Sequence, residues 1–225
     1  MYTIKKMMWR LKLVMTKKGL MEHDTRKEME QEVAACRALF EKKTRDYGTS
    51  WRILRLPSLT DQIFIKANRI RSIQESGENR VGDDIRDEFV AMVNYAVMAL
   101  IQGTPLSQPQ AAASTPSLGE QSDGFSLPLD KALELYDGQV KKILDLMMDK
   151  NHDYGEAWRQ MRVSSMVDLI LMKLLRIKQI EDNEGKTLVS EGVEGGYMDI
   201  VNYSLFCLVR LTEEARQAAP LQMSK

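Results

Sequence analysis

The sequence predicts an all-α protein in which two pseudo-symmetric three-helix repeats dock into one helical bundle. Apolar residues recur at helical spacing in each repeat, and no segment alternates with period two for long enough to suggest a strand. A polar signature also occurs twice along the 225 residues, a length that can bury a sizeable core. Because three helices alone cannot cover all their apolar faces, we expect the two repeats to pack against each other.

The duplication is visible directly in the sequence. The motif Asp-Tyr-Gly-x-x-Trp-Arg at residues 46–52 recurs 107 residues later, at 153–159. At that offset, 15 of the 35 positions in 39–73 are identical. After a one-residue shift, Val-Asn-Tyr at 93–95 matches 201–203. Each repeat therefore extends from an upstream helix to a final helix.

These matches divide the chain into five parts. A segment rich in Pro, Ser, Gln, Gly and Ala separates the repeats and is typical of a flexible linker. The first residues are basic and are predicted to be disordered, with a membrane-surface or nucleic-acid arm as the alternative. The predicted parts are a basic leader at 1–23, repeat 1 at 24–102, the linker at 103–127, repeat 2 at 128–218 and a tail at 219–225.

Composition restricts the classes of function. Lys+Arg and Asp+Glu both total 32, so no global field favours nucleic acid, and nucleic-acid binding is not expected. Charges interrupt every apolar run of the leader, so neither a signal peptide nor a membrane span is predicted. Cys36 and Cys207 lie in apolar helical patterns, which indicates buried thiols in a reducing compartment. The expected location is the cytoplasm.

The first helix of each repeat follows from an apolar stripe that ends at a glycine. Apolar residues recur at helical spacing from Met29 to Phe40, and the helix is predicted to end at Gly48. The equivalent stripe of repeat 2 runs through 133–147 and ends at Gly155. Glycine tolerates the left-handed conformation that often ends a helix.

The second and third helices follow from a capping pattern and a further stripe. Ser-x-x-Asp at 58–61 and at 165–168 precedes an apolar run, a capping-box pattern with Asp in place of Glu, and predicts that the second helices begin there. Apolar residues at helical spacing in 85–100 and 193–208 predict the third helices.

A lysine on the apolar stripe of each second helix is the strongest functional signal. At 100° per residue, Lys66 falls among the isoleucines of its helix, and Lys173 repeats this placement. An unpaired buried charge is costly, so we expect an anionic partner. That partner is either a phosphate or catalytic carboxylate, or a structural carboxylate such as Asp46 or Asp153; the side chain could also extend to solvent.

Further polar residues accompany these lysines. Arg69 and Arg176 lie one helical turn beyond them and either grip the same anion or form an ordinary solvated rim. On the third helices, acidic residues and an asparagine share a face that is predicted to point away from the apolar stripe. They are Asp87 and Asn94 in repeat 1, and Glu191, Asp199 and Asn202 in repeat 2.

These carboxylates suggest a metal site as well as a solvated face. Hard oxygen ligands without nearby His or Cys favour Mg²⁺ or Mn²⁺ over zinc. We therefore predict Asp87, Asp199 and Glu191 as candidate metal ligands.

The aromatic residues of the repeated motif have two interpretations. Tyr47 and Trp51, with Tyr154 and Trp158 of repeat 2, could stack on a nucleotide base beside an anion site. The alternative is a hydrophobic clamp on the loop, with Asp46 and Asp153 in local turns.

Three segments of repeat 2 resemble the family called nucleotide modification associated domain 1. They are residues 150–158, 173–177 and 199–203, and the resemblance extends over about 35–100 and 143–210. It implies a small helical module of bacteria and phages, linked to nucleotide or modified-base metabolism without an established reaction. The order of the motifs is also faintly similar to all-α pyrophosphohydrolases of the MazG type, although neither of their paired-carboxylate motifs is complete here.

In that family the third motif is Asp-x-x-x-Asp-x-x-Asn-Tyr, and neither repeat is complete. Repeat 1 keeps Asp87 but has Ala91, whereas repeat 2 has Gly195 and keeps Asp199. One hypothesis is a composite site that takes Asp87 from one repeat and Asp199 from the other. The alternative is that both sites have decayed.

The resulting expectation is a nucleotide-binding protein of nucleotide or modified-base metabolism, with Mg²⁺-dependent phosphohydrolysis as its candidate activity. Its ligand would be a nucleotide or deoxynucleotide, held by the lysines, arginines and asparagines named above. The alternative is a non-catalytic helical partner of a nucleotide-modifying enzyme. A homodimer is a further expectation.

Overall fold

The part of the chain that a computed structural model describes, residues 24–103, 126–186 and 192–222, contains helices and no strand. Six α-helices and two short 3₁₀ turns follow one another in two parallel series. Repeat 1 contributes α1 (Thr25–Tyr47), a turn (Ser50–Ile53), α2 (Leu56–Ser76) and α3 (Ile85–Gln102). Repeat 2 contributes α4 (Leu129–Tyr154), a turn (Ala157–Gln160), α5 (Val163–Asp182) and α6 (Glu194–Gln222). The all-α prediction is confirmed. The leader, most of the linker and the end of the tail lie outside the described residues.

The first helices end where the sequence predicts. Gly48 follows α1 with φ 62°, and Gly155 follows α4 with φ 58°. Both values lie in the left-handed region, which glycine adopts without the steric cost of a Cβ. Each glycine turns the chain into a short 3₁₀ turn that carries the tryptophan of the repeated motif.

The predicted start of the second helices is wrong by two residues. α2 begins at Leu56 and α5 at Val163, after Arg55 and Arg162 in extended backbone. Neither cap residue makes a side-chain capping hydrogen bond, and the serines lie inside the helices, so the Ser-x-x-Asp pattern does not form a capping box here. Pro57 lies in the first turn of α2, where its missing N–H leaves no helical hydrogen bond unmade. Ser58 therefore lies inside α2 and is not its N-cap.

The third helices form the centre of the bundle. α3 packs against α6, and each also packs against the second helix of its own repeat. From Glu88 to Ile101 only Ala91 and Tyr95 are not buried. The prediction that Asn94 and Asn202 lie on an outer face is therefore wrong: they are 6% and 7% exposed. Packing on several sides buries the polar face that a single-helix wheel assigns to solvent.

The two repeats are interleaved, because α1 packs against α4 and α6, and α4 packs against α3. α2 and α5 cross antiparallel, as ion pairs at their two ends demonstrate: Lys178 Nζ lies 2.5 Å from Asp61 Oδ1, and Arg71 lies 3.8 Å from Asp168. The predicted docking of the repeats is thus observed as one shared hydrophobic core.

A buried cluster around Arg159 also joins the repeats. The guanidinium donates to Glu28 of α1, to Glu156 before its own turn, and to Glu213 of α6, the last at 2.7 Å. Its side chain is only 13% exposed. The arginine of the repeated motif in repeat 2 therefore connects three separate segments of the chain.

Candidate functional site

Both lysines of the apolar stripes have carboxylate partners from the third helix of their own repeat. In repeat 1, Lys66 Nζ lies 3.1 Å from Glu88 Oε2, and Arg69 donates to the other oxygen of the same carboxylate. The Glu88 side chain is 6% exposed. Two cations thus surround one buried carboxylate, and this charge balance explains how Lys66 is accommodated on an apolar face.

Repeat 2 makes the corresponding pair with a residue one helical turn further along. Lys173 Nζ lies 2.6 Å from Asp199 Oδ2, and Lys150 Nζ lies 3.8 Å from Asp199 Oδ1. In the aligned repeats Glu88 corresponds to Gly196, and Asp199 corresponds to Ala91. The carboxylate has therefore changed position between the repeats, while the lysine has not.

The structural carboxylates that the sequence suggested are different ones. Asp46 and Asp153 are exposed at the ends of α1 and α4 and pair with neither stripe lysine. They lie in the last turns of α1 and α4. Lys66 and Lys173 are instead neutralised from the side by α3 and α6.

The arginines one turn further along differ in their partners. Arg69 is mostly buried and engages Glu88, with Asn79 accepting a further hydrogen bond at 3.3 Å. Arg176 is exposed and makes no ion pair or hydrogen bond with any residue that the structure describes. The guanidinium at this position is therefore paired in repeat 1 and has no partner among the described residues in repeat 2.

A cavity of about 660 Å³ surrounds this charged group in repeat 2. We call it the repeat-2 cavity. Its charged and polar lining consists of Lys142, Lys150, Lys173, Arg176, Glu194, Asp199 and Asn202, and its apolar lining includes Leu146, Ile177, Ile180 and Met198. Among the described lining residues the four cations outnumber the two carboxylates, so this part of the lining carries a net positive charge. Lys142 and Glu194 neutralise each other, with Nζ 2.5 Å from Oε1.

Asn202 adds an unsatisfied polar group to this lining. It is 7% exposed, and its Oδ1 accepts no hydrogen bond from any described residue. The equivalent Asn94 is fully engaged: Tyr136 donates to its Oδ1 at 2.8 Å, and its Nδ2 donates to the Cys36 carbonyl at 3.1 Å. In the aligned repeats Met29 corresponds to Tyr136, so repeat 1 has no equivalent hydroxyl that could donate to Asn202. A buried acceptor without a donor favours a ligand that supplies one.

A smaller cavity of about 320 Å³ lies at the related position in repeat 1. This repeat-1 cavity is lined by Lys43, Tyr47, Trp51, Ala91 and Asn94, with further apolar residues. Lys66 and Arg69 are not part of its lining, although their equivalents line the repeat-2 cavity. The stripe cations thus line the repeat-2 cavity, whereas their equivalents lie outside the repeat-1 cavity.

The repeated aromatic motif is mainly structural. Trp51 and Trp158 are 9% and 6% exposed, and Trp158 stacks on Phe206 with ring centroids 4.4 Å apart. Their rings are therefore engaged in the core, as the hydrophobic-clamp interpretation predicts. Tyr47 and Tyr154 are 69% and 75% exposed, and only Tyr47 lines one of the two cavities.

The described residues do not fit the predicted metal site. They contain no group of three or more His, Cys, Asp or Glu that could hold an ion. Asp199 is engaged by two lysines, and the exposed Asp87 does not line the cavity that contains Asp199. Glu191 lies outside the described residues. The composite site of Asp87 and Asp199 thus gains no support.

Sequence reasoning missed Glu88, Gly196, Lys142 and Glu194. Glu88 could have been noticed, because an acidic residue within a buried stripe needs a cation as much as a lysine needs an anion. Its replacement by Gly196 in the aligned repeat is also visible in the sequence. The Lys142–Glu194 pair carries no such signal, because its members are ordinary surface residues until the helices are placed.

The fold and this pair of sites define a tandem-repeat helical protein with a cationic cavity in repeat 2. The family model for nucleotide modification associated domain 1 matches the chain twice, at residues 43–102 and 150–211. The chain therefore belongs to this family, as its motifs indicate. Comparisons with curated proteins and with solved structures found no match, and the similarity to MazG-type enzymes stays a prediction. Among the described residues, no helix is both long and apolar enough to cross a membrane.

Proposed function

We propose that the repeat-2 cavity binds the phosphate groups of a nucleotide or deoxynucleotide, and that the protein acts in nucleotide or modified-base metabolism. The observation that carries this proposal is that Arg176, which has no ion pair or hydrogen bond among the described residues, lies beside Lys173 and Lys150 in a cavity whose described lining is net positive. A guanidinium forms bidentate, charge-assisted hydrogen bonds with phosphate, and lysine adds a point charge. The family's name gives independent support for a nucleotide-related role.

The size and lining of the cavity suit a nucleotide. Its volume of about 660 Å³ lies within the range typical of small-molecule sites, about 300–1,000 Å³. Leu146, Ile177 and Ile180 give the cavity an apolar wall against which a base or sugar could pack. Asn202 would hydrogen-bond a donor on the ligand. The proposed ligand thus places phosphate at the cations and its less polar part against the wall.

Binding is the part of the expectation that these residues support best. The described lining offers two carboxylates, Asp199 and Glu194, and a lysine neutralises each of them. Mg²⁺-dependent phosphohydrolysis is the finer proposal, and its test is product release with and without the metal.

One observation favours the alternative, a non-catalytic partner of a nucleotide-modifying enzyme. Ile65 on α2 and Met172 and Leu175 on α5 are 57%, 43% and 54% exposed, although both helices face a large core. Exposed apolar side chains on adjacent helices are typical of protein-binding surfaces when they cluster. Under this alternative, stability would not respond to any nucleotide.

The test is thermal unfolding with a panel of nucleoside and deoxynucleoside mono-, di- and triphosphates, with and without Mg²⁺. A ligand present at 100 times its Kd stabilises by about 2.7 kcal/mol, which is a rise in Tm of about 5–10 °C for a chain of this size. Arg176→Ala is expected to remove the shift. Arg162→Ala, at an exposed arginine outside the cavity, is the matched control.

Two results would overturn the proposal. One is the lack of a shift with every member of the panel, which would move the function to the partner protein. The other is a ligand-induced rise in Tm that is as large in Arg176→Ala as in Arg162→Ala. Release of phosphate or pyrophosphate from the stabilising nucleotide, measured with and without Mg²⁺, then separates a hydrolase from a binding protein.

A further inference from the structure

We propose that repeat 1 contains a closed copy of the same anion site, in which the Glu88 carboxylate occupies the position that a ligand's phosphate takes in repeat 2. This inference rests on the proposed function, because it takes the repeat-2 cavity as the phosphate site. It assigns Glu88 a specific role: an internal anion that leaves the duplicated chain with one binding site instead of two.

The same cations meet different anions in the two repeats. Lys66 and Arg69 both hold Glu88, whose side chain is 6% exposed. At the equivalent positions, Lys173 holds Asp199, and Arg176 has no partner among the described residues. A carboxylate gripped by a lysine and an arginine has the charge and oxygen geometry that these cations would offer to a phosphate. Repeat 1 is thus already neutralised from within.

The cavities support the same distinction. Five aligned positions of repeat 2 line one continuous cavity: Lys150, Lys173, Arg176, Asp199 and Asn202. Of their equivalents in repeat 1, only Lys43, Ala91 and Asn94 line the repeat-1 cavity. The two that are missing, Lys66 and Arg69, are those that contact Glu88. In repeat 1 the stripe cations thus contact the glutamate and do not line the repeat-1 cavity.

Gly196 is the reciprocal feature that keeps repeat 2 open. It stands where Glu88 stands in repeat 1, and a Cβ added to it would lie 2.9 Å from both Cγ1 and Cδ1 of Ile177. Such distances require the Ile177 side chain to move. The equivalent Ile70 is fully buried beside Glu88's helix, so the fold accommodates a side chain at this position after that adjustment. The Glu-to-Gly and Ala-to-Asp differences thus change the carboxylate that faces the stripe lysine between the two repeats.

The first test closes the open site. Full-length protein is titrated with inorganic pyrophosphate by isothermal calorimetry, and the wild type is expected to bind one equivalent. Gly196→Glu is expected to weaken binding at least about tenfold, because it adds a carboxylate beside Lys173 and Arg176. Gly196→Ala is the matched control, because it brings the same Cβ contact with Ile177 without the charge.

The second test opens the closed site. Glu88→Gly with Ala91→Asp gives repeat 1 the residues of repeat 2 at these two positions and is expected to raise the stoichiometry from one to two. In an Arg176→Ala background, the same pair is expected to restore a single site. Asp87→Gly is the control, since it adds a glycine and removes a charge at the exposed neighbouring position of the same turn.

The possible failures are distinguishable. If the wild type binds no pyrophosphate, or if Arg176→Ala leaves binding unchanged, the proposed function fails and this inference fails with it. If Arg176→Ala abolishes binding but Gly196→Glu behaves like Gly196→Ala, only the inference is overturned. Two equivalents bound by the wild type, one of them lost in Lys66→Ala, would overturn it as well. The Gly196 pair decides the question even where the double variant does not fold.

Discussion

Replacing Arg159 by methionine tests how strongly the repeats are held together. The substitution keeps an unbranched side chain but leaves Glu28, Glu156 and Glu213 without their shared cation. Breaking a buried ion pair by removing one partner costs about 3–5 kcal/mol. The three carboxylates are 22%, 32% and 20% exposed, so water would recover part of their solvation. We therefore expect a loss of about 3 kcal/mol, or about 6–12 °C in Tm.

The assay is urea and thermal unfolding at pH 7 and at lower pH, with Arg162→Met as the control. Burial opposes the shift, but hydrogen bonds from Thr25 and Arg159 hold the pKa of Glu156 below its ordinary 4.5. A lowered carboxyl pKa stabilises the fold above the unfolded value, and that stabilisation is lost as the pH falls through the folded value. The loss of unfolding free energy caused by Arg159→Met should therefore become smaller below about pH 4. A deficit no larger than that of Arg162→Met at pH 7 would refute the reasoning.

Three further predictions concern groups outside the candidate site. Trp158→Ala is expected to lower the free energy of unfolding by about 3–5 kcal/mol in urea titrations, whereas Tyr154→Ala, at an exposed ring, should leave it unchanged. Cys36 and Cys207 are fully buried, and burial raises the pKa of the Cys36 thiol to about 12 and that of Cys207 further. Neither should react with an aromatic disulfide reagent in the native protein, and both should react in denaturant; rapid native labelling would contradict this. Burial raises the pKa of Glu181 above 4.5, the value expected in the unfolded chain. Ionising this carboxyl therefore costs more in the folded state, and the free energy of unfolding falls as the pH rises above about 4.5. Glu181→Gln should therefore be more stable than the wild type at pH 7, with no difference at pH 4; equal stability at both values would contradict it.

The repeat architecture could be predicted because its signals are local. A helix that ends at Gly48 or Gly155 depends only on neighbouring residues and on the left-handed conformation that glycine tolerates. The start of α2 could not be placed as well, because Ser58 offers a plausible cap while Arg55 and Pro57 support a start two residues earlier. Competing local signals of similar strength decide such boundaries.

The candidate site could be predicted only in part. The position of Lys66 and Lys173 on an apolar stripe correctly indicated that each needs an anion. Which carboxylate supplies it depends on the turn of α3 or α6 that faces the lysine, and a wheel of one helix does not contain that information. Asn94 was misplaced for the same reason, since its partner Tyr136 belongs to the other repeat.

The difference between Glu88 and its aligned residue Gly196 makes the two repeats unequal. A dimer of identical single-repeat chains must carry the same residue at both symmetry-related positions, so it presents either two open entrances or none. Fusion of the two copies into one chain frees each position to vary by itself. The two pseudo-symmetric sites of the resulting molecule therefore differ, and the molecule lacks the exact twofold symmetry that such a dimer would have.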